Sequence, residues 1–197
     1  MNTLKAEKRS MDVKAKKLRR EGYVTGNLFG REIEGSIPLK FTKKEIEVLL
    51  KNNNKGSQVM LELDGKTYDA LIKEVDYNPL AHTVEEVDFQ ALVSNEKVHS
   101  VAEIILENEE MVVSGVLQDE LKEVAYKALP ADLVDKIKVD VAGMKIGDTL
   151  RVKDLEIAKN KNIHITTDLE SVIATVTPVH NVVPEAETAT EDAAEEK

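Results

Sequence analysis

The sequence predicts a mainly β (α+β) chain: a small closed or nearly closed β-barrel with short helices over residues 1–94, a second mainly β domain over 95–180, and a disordered acidic tail over 181–197. Three observations carry this reading. Trp is absent and aromatics make up only 4% of 197 residues, so the 42% that are apolar must build cores from Val, Ile, Leu and Ala, a composition that favours strands. Short alternating runs recur between turn residues, with a two-residue hairpin signal at Asp64-Gly65. Charge also divides the chain into blocks, +1 over 1–94, −6 over 95–180 and −5 over 181–197, within a total of −10.

The first block opens with an alternating run, Leu4 to Arg9, read as a strand. Ser10, Met11 and Asp12 offer side-chain oxygens to cap a helix that runs through Val13 and Arg20 to a stop at Gly22, with Ala15, Leu18 and Met11 as its inward stripe. Tyr23 to Gly30 reads as a strand bent where backbone comes close to something, because two glycines interrupt it. Ser36 to Phe41 alternates, and Pro38 places it at an edge. Thr42 and Glu45 form a capping box for a helix over Lys43 to Lys51, with Ile46, Leu49 and Leu50 on its apolar face. Val59 to Leu63 and Lys66 to Val75 flank Asp64-Gly65, and Asn78-Pro79 breaks the second of them. Thr83 to Ala91 resumes, with Val84, Glu86 and Asp88 on one face and Glu85, Val87 and Phe89 on the other. Four to six strands in so short a stretch leave exposed edges unless the sheet closes.

The second block carries strand patterns at Val98 to Glu107, Met111 to Leu121, Lys136 to Val141, Thr149 to Val152 and Ser171 to Pro178. A break falls at Leu129-Pro130-Ala131-Asp132-Leu133 and a turn at Gly143 to Asp148. The terminal run PEAETATEDAAEEK has too little apolar surface to fold.

Several functions are excluded or left without a signal. There is no Cys, so disulfides, thiolate metal sites and thiol nucleophiles are absent. No apolar run approaches the length of a membrane span, and the N-terminus has no signal-peptide core. His82, His99, His164 and His180 stand apart from one another, without metal-ligand spacing. Gly26 and Gly30 make neither a phosphate loop nor a dinucleotide fingerprint. Glu86 and Asp88, about 7 Å apart on one strand face, are the one carboxylate pair with catalytic spacing, and such pairs are common on solvated strands. We expect no enzyme activity, no cofactor, no metal, no small-molecule substrate and no membrane partner.

The strongest signal is basic. Up to Arg20 the chain holds Lys5, Lys8, Arg9, Lys14, Lys16, Lys17, Arg19 and Arg20 against Glu7 and Asp12, a surplus of +6 in an acidic protein. We expect no compensating acids at the i+4 positions of the helix. Such a concentration suits a polyanion, since charges beyond about 10 Å are screened, and it predicts an RNA-binding face. That reading requires the cations to share a face and to be free of the protein's own carboxylates.

The run Lys16-Lys17-Leu18-Arg19-Arg20, the strand end Phe29-Gly30, the hairpin Asp64-Gly65 and the segment from Asn78-Pro79 to Val87-Asp88-Phe89 follow one another as in the general stress protein CTC family. These are bacterial large-subunit ribosomal proteins that bind 5S rRNA. The second block is similar to that family's C-terminal β domain at Leu129-Pro130, Val139-Asp140-Val141, Ile146-Gly147-Asp148, Val152-Lys153-Asp154-Leu155 and Val172 to Val176. The resemblance covers about residues 3–180. It implies a six-stranded barrel whose helix and adjoining strands grip an irregular part of 5S rRNA, and a cytoplasmic, ribosome-associated protein that meets other large-subunit proteins and is monomeric when free.

By the same resemblance Arg9, Lys16, Lys17 and Arg19 match positions that approach phosphates and sugars, Phe29 a position usually held by Tyr, and Asp88 an invariant acid that accepts from RNA or orients neighbouring donors. Lys14 and Arg20 join the set through the charge argument. Asp76 and Glu86 stand on the same face where the family usually has Gln and His, and Thr25 replaces a usual Pro. Each lost hydroxyl or amide contact costs about 1 kcal/mol. The alternative is therefore a diverged stress-related paralogue that acts as a protein-interaction module with weak or lost RNA binding.

Overall fold

The computed structural model describes residues 3–112 and 115–178, so His180 and the acidic tail lie outside the described residues. The first block forms β1 (Thr3–Lys8), α1 (Ala15–Arg20), β2 (Tyr23–Phe29), β3 (Ser36–Thr42), α2 (Lys43–Leu50), β4 (Gln58–Leu63), β5 (Lys66–Asn78) and β6 (Thr83–Ala91). The six strands close into a barrel in the order β1-β3-β2-β6-β5-β4. Closure leaves no barrel edge, and its interior is sealed by Leu28, Leu39, Phe41, Leu61, Ile72, Val87 and Phe89. Phe41 and Phe89 pack there with ring centroids 5.4 Å apart and planes at 56°.

Local chemistry explains most of these elements. Asp64 and Gly65 take φ of 50° and 78°, the two positive values a primed hairpin turn needs between β4 and β5. Thr42 and Glu45 cap α2 reciprocally, while Ile46 and Leu49 bury its inner face. A Cβ on Gly26 would stand 2.0 Å from the Val87 carbonyl oxygen, so the close approach expected of β2 is made to β6.

Three expectations fail here. The side chains of Ser10 and Asp12 bond each other and do not cap, and α1 begins only at Ala15 with no side-chain cap. Met11 is 74% exposed, so Leu18 alone anchors the helix inward as a buried residue. Pro38 sits inside a closed barrel; its missing N–H is tolerated because the β1–β3 ladder ends there, Arg9 N–H donating to the Pro38 carbonyl at 2.9 Å.

The second block forms β7 (Val98–Glu107), β8 (Val116–Asp119), β9 (Glu123–Ala128), β10 (Lys136–Asp140), β11 (Thr149–Arg151), β12 (His164–Ile165) and β13 (Val172–Thr177). One sheet runs β10-β7-β9-β12, a second β11-β13-β8, and side chains from both, among them Ala102, Val124, Tyr126, Ile173 and Ala174, fill one core. The continuous strand expected from Met111 is instead a 3-10 turn at Glu109–Met111 followed by the short β8. β9 and β12 had no counterpart in the sequence reading.

The two blocks touch along a seam. The Asn54 amide donates to Glu103 at 2.6 Å, Ser100 Oγ to the Gly56 carbonyl at 3.3 Å, and Lys73 Nζ to the His99 carbonyl at 2.9 Å.

Candidate nucleic-acid interface

Lys14, Lys16, Lys17 and Arg20 are exposed on or beside α1. Lys17 lies 3.9 Å from Glu21, four residues on, a weak exposed pair that corrects the expectation of no i+4 acid. Lys14, Lys16 and Arg20 make no ion pair among the described residues. Arg9, at the end of β1, is half-buried and turns back to donate to the Val13 carbonyl at 3.1 Å, bracing the loop into α1.

Arg19 departs from expectation. Its Nη1 donates to Glu85 at 2.7 Å and its Nη2 to Glu86 at 3.4 Å, with side chains only about a third exposed: 32% for Arg19, 35% for Glu85 and 31% for Glu86. The cause is a bulge. Across β5 and β6, Asp76 pairs with Glu86 but Tyr77 pairs with Val84, so Glu85 is the extra residue and the side-chain alternation breaks there. Glu85 therefore joins the outer face with Glu86, and Val84 turns to pack on the core. The expected grouping of Val84 with Glu86 and Asp88, and of Glu85 with Val87 and Phe89, is corrected accordingly.

The remaining polar groups close a network around this pair. The Asn78 amide donates to the other oxygen of Glu85 at 2.8 Å. Asn27, opposite on β2, donates from its backbone N–H to Asp88 at 2.9 Å, and from its side chain to Asp88 at 3.1 Å and Glu86 at 3.3 Å. Both members of the carboxylate pair are thus taken up by Asn27. Asp76 is exposed beside Glu86 across the ladder. Phe29 is half-buried at the far end of β2, two residues beyond Asn27.

The structure brings Arg19, Glu86 and Asp88 into one network, places Lys14, Lys16, Lys17 and Arg20 on or just before the helix that Arg19 belongs to, and leaves Phe29 at a distance along β2. Sequence reasoning missed Glu85, Asn27 and Asn78. No sequence pattern marks them: Asn27 and Glu85 act through partners brought near by the fold, and Asn78 reaches Glu85 across its own hairpin.

Comparison with known proteins places this closed barrel, with its cationic helix and the second β region that follows it in the chain, in the class of ribosomal proteins. The model of the Ribosomal L25p family matches residues 4–89, and that of the ribosomal protein TL5 C-terminal domain matches 97–180. Similar over nearly the whole chain are proteins named large ribosomal subunit protein bL25. That of Carboxydothermus hydrogenoformans is 33% identical, covering 96% of this chain and 98% of its own. Those of Bacillus velezensis and Akkermansia muciniphila are each 30% identical, covering 98% and 100% of this chain and 94% and 98% of their own. The chain belongs to the bL25 family of large-subunit ribosomal proteins.

Proposed function

We propose that the chain is a structural, non-catalytic component of the large ribosomal subunit that binds 5S rRNA through α1 and the adjoining barrel strands. The observation that carries this is the exposed set Lys14, Lys16, Lys17 and Arg20, concentrated on and immediately before one six-residue helix of a protein of net charge −10. Irregular RNA is met through its phosphates, sugars and shape, and a fixed comb of cations beside a polar strand face suits that surface. Arg9 and Arg19 brace the comb, since their guanidinium groups bond the protein itself. Asn27 holds Asp88 and Glu86 in place, so the strand face presents a fixed pattern.

In this reading residues 1–94 are the RNA-binding domain and 95–180 a second domain turned toward protein neighbours or solvent. The protein is cytoplasmic when ribosome-associated and monomeric when free. The test is a titration of 5S rRNA at two salt concentrations with the unaltered chain and with Lys16→Ala, Lys17→Ala combined. Each lost phosphate contact lowers the log-log salt slope by roughly 0.9, so the double variant should lose up to about 2. An unchanged slope would remove α1 from the contact surface.

A second reading, an interaction module that has lost RNA binding, draws on the carboxylates of Glu85 and Glu86 that neutralise Arg19. Sedimentation decides between them: co-migration with the large subunit at physiological salt supports the first, and absence from it supports the second.

A further inference from the structure

The tip of the β5–β6 hairpin carries a shallow, open cleft lined by Asp76, Tyr77, Asn78, Pro79 and Glu85. We propose that it seats one unpaired base of the bound RNA, with Tyr77 as the stacking platform and Asp76 as the acceptor for the base's N–H groups. This rests on the RNA-binding reading above and deepens it by naming a base-reading subsite distinct from the cationic helix.

Tyr77 is the first ground. All seven aromatics of the chain fall among the described residues, and Tyr77, at 54% exposure, is the one exposed to solvent. The other six are buried or half-buried. Leu80 at the same tip is 94% exposed. An apolar pair left uncovered at a hairpin tip awaits a partner surface.

The tip is also pre-arranged. Tyr77 Oη lies 3.2 Å from His82 Nδ1, and Asn78 Oδ1 accepts from the Leu80 and Ala81 amides, both at 3.1 Å. The Asn78 side chain donates to Glu85, which holds Arg19. The cleft therefore shares a wall, Glu85, with the network that fixes α1.

The chemistry of the walls selects the occupant. Two carboxylates and no cation line the cleft, which repels a phosphate. Both oxygens of Glu85 are engaged, by Asn78 and Arg19. Asp76 makes no hydrogen bond or ion pair among the described residues, and an ionised carboxylate only accepts. It fits N–H donors on a flat ring whose face stacks on tyrosine, which describes a nucleobase extruded from an irregular RNA. Guanine, with adjacent imino and amino donors, matches the two carboxylate oxygens best.

The test uses the full chain and 5S rRNA at two salt concentrations. Tyr77→Ala should weaken binding about tenfold, the scale of one lost base stack, with the salt slope unchanged because no phosphate contact is lost. Tyr77→Phe should bind like the unaltered chain. Asp76→Asn should weaken binding although it removes a negative charge from an anion-binding face. A glyoxal reagent that attacks guanine at its imino and amino nitrogens should find one base protected by the unaltered chain and exposed with Tyr77→Ala. If Tyr77→Ala binds unchanged while the Lys16, Lys17 variant weakens, or if Asp76→Asn strengthens binding, the subsite is overturned and the wider reading stands; the former result is also expected if the cleft takes an arginine from a protein neighbour. If the unaltered chain does not bind 5S rRNA, both fall.

Discussion

Arg19 on α1 and Glu85 on β6, 66 residues apart, meet at 2.7 Å. The contact exists because a bulge turns Glu85 out of the barrel core, and it converts the expected centre of a cationic face into a closed ion pair. The helix it fastens is only six residues long and has no side-chain cap, too short to persist alone. Buried Leu18 and this pair tie it to the barrel. The free cations of α1 then occupy positions set by the protein.

This relationship predicts a measurable coupling. Arg19→Ala and Glu85→Gln, separately and together, should be non-additive in urea unfolding by about 1 kcal/mol, the scale of a partly exposed charge-assisted pair, and the coupling should shrink in high salt. In 5S rRNA titrations Arg19→Ala should leave the salt slope unaltered, in contrast to loss of Lys16 and Lys17. Additive single variants would mean that the contact does not hold the helix.

Gly56 predicts a second outcome at the seam between the two blocks. Its φ is +90°, and a Cβ there would stand 1.9 Å from the Val101 carbonyl oxygen. Gly35 has a similar φ of +76° with nothing within 4 Å. Gly35→Ala should therefore cost about 1 kcal/mol of backbone strain, and Gly56→Ala clearly more, about 3 kcal/mol, because the strand carbonyl cannot yield. Thermal unfolding of the two variants makes the comparison, and equal losses would show the seam to be loose.

What the sequence disclosed, and what it hid, follows the range of the interactions. Asp64-Gly65 and the Thr42–Glu45 box are decided by neighbouring residues, and both stand as read. The family order of motifs carried the barrel and its relatives. Hidden were features set by distant partners, the hold of Glu85 on Arg19 and the bracket of Asn27 around Asp88; the failure of Ser10 to cap is local, its side chain being taken by Asp12 two residues on. β9 was hidden for another reason. Val124, Tyr126 and Ala128 alternate inward, but Glu123 and Lys127 dilute so short a run that it reads as loop until β7 supplies its ladder.

Asp135, beside the same seam, predicts a pH dependence. Burial pushes its carboxyl above the usual range, against the smaller opposing effects of the nearby Ser57 hydroxyl and the charge of Lys136. The folded chain thus binds this proton more tightly than the unfolded one, so this group's contribution falls as pH rises from the ordinary aspartate value of 3.8 through the raised folded value. Asp135→Asn removes the buried charge and should raise the melting temperature at pH 7 while changing it little at pH 3. A variant less stable at pH 7 than at pH 3, relative to the unaltered chain, would mean that the ionised carboxylate is held by its partners after all.

Tyr126 predicts the clearest loss in the second core. Its ring is fully buried, and its hydroxyl donates to the Val134 carbonyl at 2.9 Å while accepting from the Val134 N–H at 2.8 Å. One atom therefore satisfies both backbone groups of a residue that lies in no strand, just before β10. Burial raises the hydroxyl above its ordinary pKa, more than the backbone bond to Val134 lowers it, so it stays protonated and both bonds persist across neutral and mildly alkaline pH. Tyr126→Phe keeps the ring and its packing but leaves the two Val134 groups unpaired, which should cost about 1–3 kcal/mol. Tyr126→Leu loses the bonds and opens space as well, and should cost more. Chemical unfolding separates the two contributions: if Phe were neutral and only Leu costly, the tyrosine would serve as filler, and the loop into β10 would be held by something other than its hydroxyl.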